Sequence, residues 1–229
     1  MKPNYFLLLI LTTLFISCSK STITPEFIKQ TEGRYLYNPD ETIEVYFEEN
    51  ELFMKWRGAE KITPMNLGNN VFFIKEMNEK VQFQINPIDR LQYLCLIPKE
   101  KNESISYDFR KLNNDENVPS VYLKNKEYDK ALKGYLAIKE KDTANIYTKE
   151  SNFNSLGYRE LREKNYIDAI KIFELNTALY PESENVYDSL AEAYFRSGDT
   201  INAVDNYKKA LAIDSGNRRA KEFVKKHER

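Results

Sequence analysis

Only a few residues in this chain are of a type and spacing that could make or break covalent bonds. Ser17 and Lys20 stand in the Ser-x-x-Lys spacing in which a lysine helps take the proton of a nucleophilic serine. They also straddle the end of an apolar run, where export processing would cut between Ser17 and Cys18 and part the two. His227 is the only histidine and lies close to residue 229, so a Ser-His-Asp relay has no base in the body of the chain. Glu44, Glu48, Glu49 and Glu51 crowd one expected hairpin and could supply an acid and a base. Charges there also keep a sheet edge from pairing with a neighbour, and a solvated rim is the reading adopted. The seven glycines are scattered and build no phosphate-cradling loop. Cys18 and Cys95 are the only cysteines, too few for a zinc site or a disulfide framework, and no calcium loop of alternating aspartates is present. The chain is therefore expected to be non-catalytic, with no cofactor and no metal.

The elements that would position any other function begin at the N-terminus. Lys2 precedes an apolar run from Tyr5 to Ile16, broken only by Thr12 and Thr13. As a helix this run reaches about 18 Å, short of a hydrocarbon core of roughly 30 Å. Residues 1–17 read instead as a secretory signal. Phe15-Ile16-Ser17-Cys18 is similar to a bacterial lipobox, in which a small residue precedes the cysteine that takes a thioether-linked lipid; Phe15 stands where leucine is usual. The expectation is an envelope protein lipid-anchored at Cys18. The expected membrane is the outer one, and because no acidic run follows the cysteine the anchor is expected to face the periplasm.

Residues 18–112 carry period-two patterning. Ile43, Val45 and Phe47 alternate with Glu44, Tyr46 and Glu48, and Val81, Phe83 and Ile85 alternate with Gln82, Gln84 and Asn86. Such alternation marks half-buried antiparallel strands. Turn clusters at Glu49-Asn50, Gly68-Asn69-Asn70 and Asn86-Pro87-Ile88-Asp89 divide the segment into seven or eight strands from about Thr24 onward, including Arg90 to Ile97 and Ile105 to Arg110. A small antiparallel β-barrel or sandwich is expected. Trp56, Phe53, Phe72, Phe73, Phe83 and Tyr93 could line a cavity for an apolar ligand, although a side-chain-filled core suits so small a domain better.

Helical spacing takes over in residues 113–229. Leu156-Gly157 recurs 34 residues later as Leu190-Ala191, Ala169-Ile170 as Ala203-Val204, and Phe173 as Tyr207. A 34-residue period with small residues where two helices cross resembles tetratricopeptide repeats. The resemblance implies repeats at 150–183 and 184–217. Tyr128, Ala131, Leu132 and Tyr135 mirror Tyr166, Ala169, Ile170 and Phe173 at an offset of 38, so 115–148 reads as a degenerate first unit. Residues 218–229 read as a capping helix with a polar outer face. The fold class is α+β: an antiparallel β domain followed by a helical, tetratricopeptide-like solenoid.

A wider resemblance spans the mature chain. Thr31-Glu32-Gly33-Arg34-Tyr35, then Tyr128-Asp129-Lys130-Ala131-Leu132, then Asn154-Ser155-Leu156-Gly157-Tyr158 is similar to the C-terminal accessory region of secreted bacterial serine hydrolases of the beta-lactamase-related type. That resemblance implies an architecture without the catalytic domain, and an alternative role as accessory subunit of a separately encoded hydrolase. With 30% charged residues and a net charge of −1, nucleic acid is not an expected partner. The expected role is protein–protein interaction. In tetratricopeptide units the first helix of each pair lines the concave surface, which here presents Asn154, Tyr158, Leu161 and Arg162, then Asp188, Glu192, Phe195 and Arg196. Mixed charge with aromatic anchors is the composition of an interface centre. Tyr158 and Phe195 are expected to be side chains that the helix–helix contacts do not require. A lipocalin-like role, with a small apolar ligand, is the remaining alternative.

Overall fold

The computed structural model describes residues 23–100 and 103–228. Cys18 and the Ser17–Lys20 spacing lie outside the described residues.

The first element is a short helix, α1 (Pro25–Thr31), where period-two patterning predicts extended chain. Thr24 caps it, its Oγ1 accepting from Phe27 N at 3.2 Å, and Pro25 sets the first helical φ without costing a hydrogen bond. Its yield is Phe27, whose ring meets Phe83 at 5.6 Å and both Phe47 and Phe72 at 6.2 Å. An apolar residue read as strand is thus a plug for the β core.

Among the described residues nine antiparallel strands follow, rather than seven or eight. β1 (Gly33–Asn38), β2 (Glu41–Glu48), β3 (Glu51–Trp56) and β4 (Ala59–Ile62) form one sheet in that order. β5 (Met65–Gly68), β6 (Val71–Ile74), β7 (Glu79–Ile85), β8 (Gln92–Leu96) and β9 (Phe109–Arg110) form the second. The Glu49-Asn50 and Asn69-Asn70 turns hold both residues at positive φ, between 49° and 64°, the twist that a two-residue hairpin needs. Strand β9 is shorter than the alternation from Ile105 predicts, because the Asp108 carboxylate takes the donor a longer ladder would use, Leu96 N at 2.7 Å.

The inward residues of both sheets share one core, with Tyr35, Leu94, Ile43, Met54, Ile74 and Val81 essentially inaccessible. The sheets meet where β1 runs beside β9, through the Tyr35–Lys111 bridge and Leu112 N donating to Arg34 O at 2.7 Å. They do not close into a barrel. β4 and β5 belong to different sheets, and Pro64 between them offers no N–H to continue a ladder.

The helical half comprises α2 (Pro119–Lys124), α3 (Tyr128–Lys141), α4 (Glu150–Arg162), α5 (Tyr166–Leu179), α6 (Glu184–Arg196), α7 (Thr200–Ile213) and α8 (Arg218–His227). Lys126, Lys164 and Gly198 turn the chain inside each pair, all at positive φ from 62° to 92°. A Cβ on Gly157 would stand 2.6 Å from the Phe173 ring, so α4 and α5 touch at a point only glycine permits. In the first pair this contact is inverted. Pro119 occupies the first helix, and Gly134 of the second makes room for it; a Cβ there would lie 2.5 Å from Pro119 Cγ. The β module docks on this pair. Asp40, in the β1–β2 turn, accepts from Ser120 N at 2.6 Å and from the Tyr135 hydroxyl at 3.2 Å. Val118 gives α2 no side-chain cap, so Asp40 caps it from 80 residues away.

Candidate functional site

The residues expected to meet a partner lie on α4 and α6, and the structure brings most of them together for internal use. The Tyr158 ring stands edge-on to Phe173 at 5.3 Å, and its hydroxyl donates to Glu192 Oε2 at 3.2 Å beside Ser189 Oγ at 3.3 Å. Glu192 also holds Arg196 one turn on and accepts from Arg219 of α8 at 2.9 Å. Asp188, 8% exposed, is paired with the same guanidinium and accepts from Asn217 at 2.9 Å. Phe195 packs on Phe223 at 4.8 Å and on His227 at 5.5 Å. The expectation that Tyr158 and Phe195 are unneeded by helix contacts is therefore corrected. They join successive first helices, because the next first helix lies alongside and supplies the complementary groups.

Arg219 and Asn217 are the members that sequence reasoning missed. The signal was present: Arg219 lies 34 residues after Asn185, so the period begins a third time. Buried charge from this network reaches the second layer. Burial first, then the Glu192 charge, pushes the Tyr207 phenol up to about 12. Three predicted residues stay outside the network. Arg162 is exposed and makes no ion pair among the described residues, and Asn154 Oδ1 is buried without a hydrogen-bond partner. Leu161, expected on the open face, is corrected: it is 2% exposed and packs in the core with Ala169, Phe173 and Leu190, so it offers a partner nothing.

Toward the β module the same side of the stack opens into a cleft of ≈ 480 Å³ between α2 and α4. Helix α2 has six residues where α4 and α6 have thirteen each, and over that gap the inner layer of α3 and α5 shows through. Leu123, Phe153, Leu156 and Ile172 give it apolar walls, and Tyr135, Asp40 and Tyr147 close the end nearest the β module. Asp168 sits at its edge, bonded to Lys126 at 2.7 Å and to the Tyr128 hydroxyl at 2.6 Å; these bonds hold its carboxyl below the usual range. Asp40 moves the other way, since burial outweighs the hydrogen bonds from Ser120 and Tyr135.

The remaining constellations are dispersed. Glu44 of β2 pairs with Lys55 of the neighbouring β3 at 3.5 Å, and Glu48 of β2 with Lys61 of β4, two strands away. Phe72 and Phe83 enter the core. Phe53, also buried, is not part of that core and stacks on Tyr46 at 5.6 Å, and Tyr93 bonds Asp89 at the surface, so the six aromatic residues do not converge. Cys95 is buried, and burial pushes its thiol up to about 11. His227 lies on the Phe223 ring at 4.4 Å.

Helix pairs repeating at 34 residues, crossing at a glycine or alanine and closed by a single capping helix, define a tetratricopeptide-like stack behind an antiparallel β module. No family model matches the chain, and no curated protein does. Solved structures do. The first tetratricopeptide domain of Spaghetti (RPAP3) bound to an HSP90 peptide is 21% identical, with a TM-score of 0.34 over 48% of this chain and 84% of that one. MamA is 16% identical, with a TM-score of 0.33 over 48% of this chain and 81% of that one. The N-terminal domain of stress-induced protein-1 from C. elegans is 19% identical, with a TM-score of 0.33 over 48% and 89%.

Proposed function

We propose that this chain is a non-catalytic interaction module whose helical half, residues 113–229, binds another protein, and that a lipid on Cys18 holds it in the cell envelope at the outer membrane, facing the periplasm. The β module, residues 18–112, serves as the base on which the stack is mounted. One observation carries the interaction reading. The stack is sealed at its C-terminal end by the Asp188–Glu192–Arg219 network but left open between α2 and α4, with apolar inner-layer side chains reachable from the first-helix side. A stack that only covered the β module would have no use for that opening. Lipid attachment is supported by the Phe15-Ile16-Ser17-Cys18 sequence.

The test is capture from envelope membranes by the full chain, comparing two charge reversals at exposed positions. Arg162→Glu lies on the first-helix side, and Asp205→Lys on α7 of the second-helix layer. The reading expects one co-purifying protein to be lost with Arg162→Glu and kept with Asp205→Lys. The same protein kept by the first variant and lost with the second would overturn it.

A further inference from the structure

The cleft between α2 and α4 has a polarity that specifies its occupant. Its acidic groups are already engaged: Asp168 by Lys126 and Tyr128, Asp40 by Ser120 and Tyr135, and Glu160 by Asn165 Nδ2 at 3.0 Å. Its remaining cations are not. The side chain of Lys124, the last residue of α2, makes no ion pair or hydrogen bond among the described residues. Arg159, on α4 across the opening, has only its chain neighbour Glu160, at 3.7 Å with the guanidinium mostly exposed. Such an exposed pair contributes almost nothing and is readily exchanged. Between the two cations the walls are Leu123, Leu156, Phe153 and Ile172, which gain from any apolar group that displaces water.

We propose that this cleft is the anchor pocket for a protein partner and takes one bulky apolar side chain from an extended segment with acidic residues on either side, its carboxylates directed to Lys124 and Arg159. The assignment rests on the interaction reading above and narrows it to one place and one partner chemistry. A volume of ≈ 480 Å³ accommodates a Leu or Phe side chain together with adjoining backbone. It falls within the range of about 300–1,000 Å³ typical of ligand sites. The neighbouring cations on α6 and α8 are already spent on carboxylates, Arg219 on Asp188 and Glu192 and Arg196 on Glu192. Lys124 and Arg159 beside the β module have no such partner beyond the chain neighbour Glu160, so acidic groups of a segment gain more there.

The experiment is selection from a displayed library of random peptides by the full chain in detergent, followed by affinity measurement on the enriched sequences. The partner protocol is a charge reversal, Lys124→Glu with Arg159→Glu, both at exposed positions that the core does not use. The wild-type chain is expected to enrich peptides in which a Leu, Ile, Phe or Met is flanked by Asp or Glu. The double variant, melting with the wild type, should bind those peptides at least roughly ten-fold more weakly and enrich Lys- and Arg-flanked ones instead. If the double variant binds the wild-type peptides equally well, the cleft assignment falls, while the interaction reading stands on the enrichment itself. If neither chain enriches any peptide family, both readings fall.

Discussion

Gly157→Ala is the substitution that tests the helical register most sharply, because two effects of known size oppose each other there. Replacing a helical glycine by alanine stabilises a helix by about 1 kcal/mol where the new methyl is free. At position 157 it is not free. The added Cβ would lie 2.6 Å from Cε1 and Cζ of Phe173 and 2.9 Å from Cε2. Phe173 is 0% exposed and has Tyr158 set edge-on against it, so its ring cannot swing away. Overpacking of this kind costs about 1–3 kcal/mol, which outweighs the helix gain in most of its range. The expected result is a net loss of about 1 kcal/mol and a fall of a few degrees in Tm by far-UV circular dichroism. Phe173→Leu should cost less in the Gly157→Ala background than in the wild type, since the second change removes the clash created by the first. A rise in Tm for Gly157→Ala, or strictly additive effects, would refute the close approach of α4 and α5.

Ala203→Leu, at a position with 0% exposure, should lower stability by roughly 1–3 kcal/mol; a variant melting with the wild type would contradict the 34-residue register. Arg219→Ala should cost about 1 kcal/mol, because the half-exposed guanidinium is partly screened, and amide exchange should quicken first in α8 and the end of α6. Faster exchange confined to the β module would contradict the network. Asp40, with its pKa raised in the fold, contributes stability that is full below the ordinary carboxylate range and is lost as pH rises through the folded value. The stability of the wild type relative to Asp40→Asn should therefore be greater near pH 4 than at pH 7, and a difference that grows towards neutrality would sink the argument. Asp168 has the opposite sign, with stability present above the ordinary range and lost as pH falls through a depressed value, so Asp168→Asn should blunt acid unfolding. Cys18→Ser should move the protein from the detergent phase to the aqueous phase, and unchanged partitioning would remove the lipid anchor from the account.

The 34-residue period was legible because close helix contacts tolerate only small residues, and those residues print the period into the chain at Gly157, Ala191, Ala169 and Ala203. The inverted contact of the first pair was not, since Pro119 and Gly134 exchange the usual roles while the helical stripe of Tyr128, Ala131 and Tyr135 looks regular. In the β module, alternation revealed the strands buried on one face and missed β4 and β5, edge strands whose residues are largely exposed on both faces. The helix at Pro25–Thr31 carried its own signal, a Thr-Pro-Glu start, which the apolar residues around Phe27 outweighed in a period-two reading. On the first-helix side, the chemistry of Tyr158, Asp188 and Glu192 could be read from position alone. The period places α8 beside α6, but that Arg219 meets both Asp188 and Glu192 could not be read, because it depends on how far successive helices rotate. The cleft was further from reach: it is made by the shortness of α2 and by Asp40, which stands 95 residues from Tyr135 in sequence.

The most direct measurement of the central claim is hydrogen–deuterium exchange of the full chain with and without its captured partner. The account predicts that binding slows exchange in α2, α4 and the β1–β2 turn, the segments that frame the cleft. Protection confined to the second-helix layer of α5 and α7, or to the strands β5 to β8, would place the partner elsewhere and contradict it.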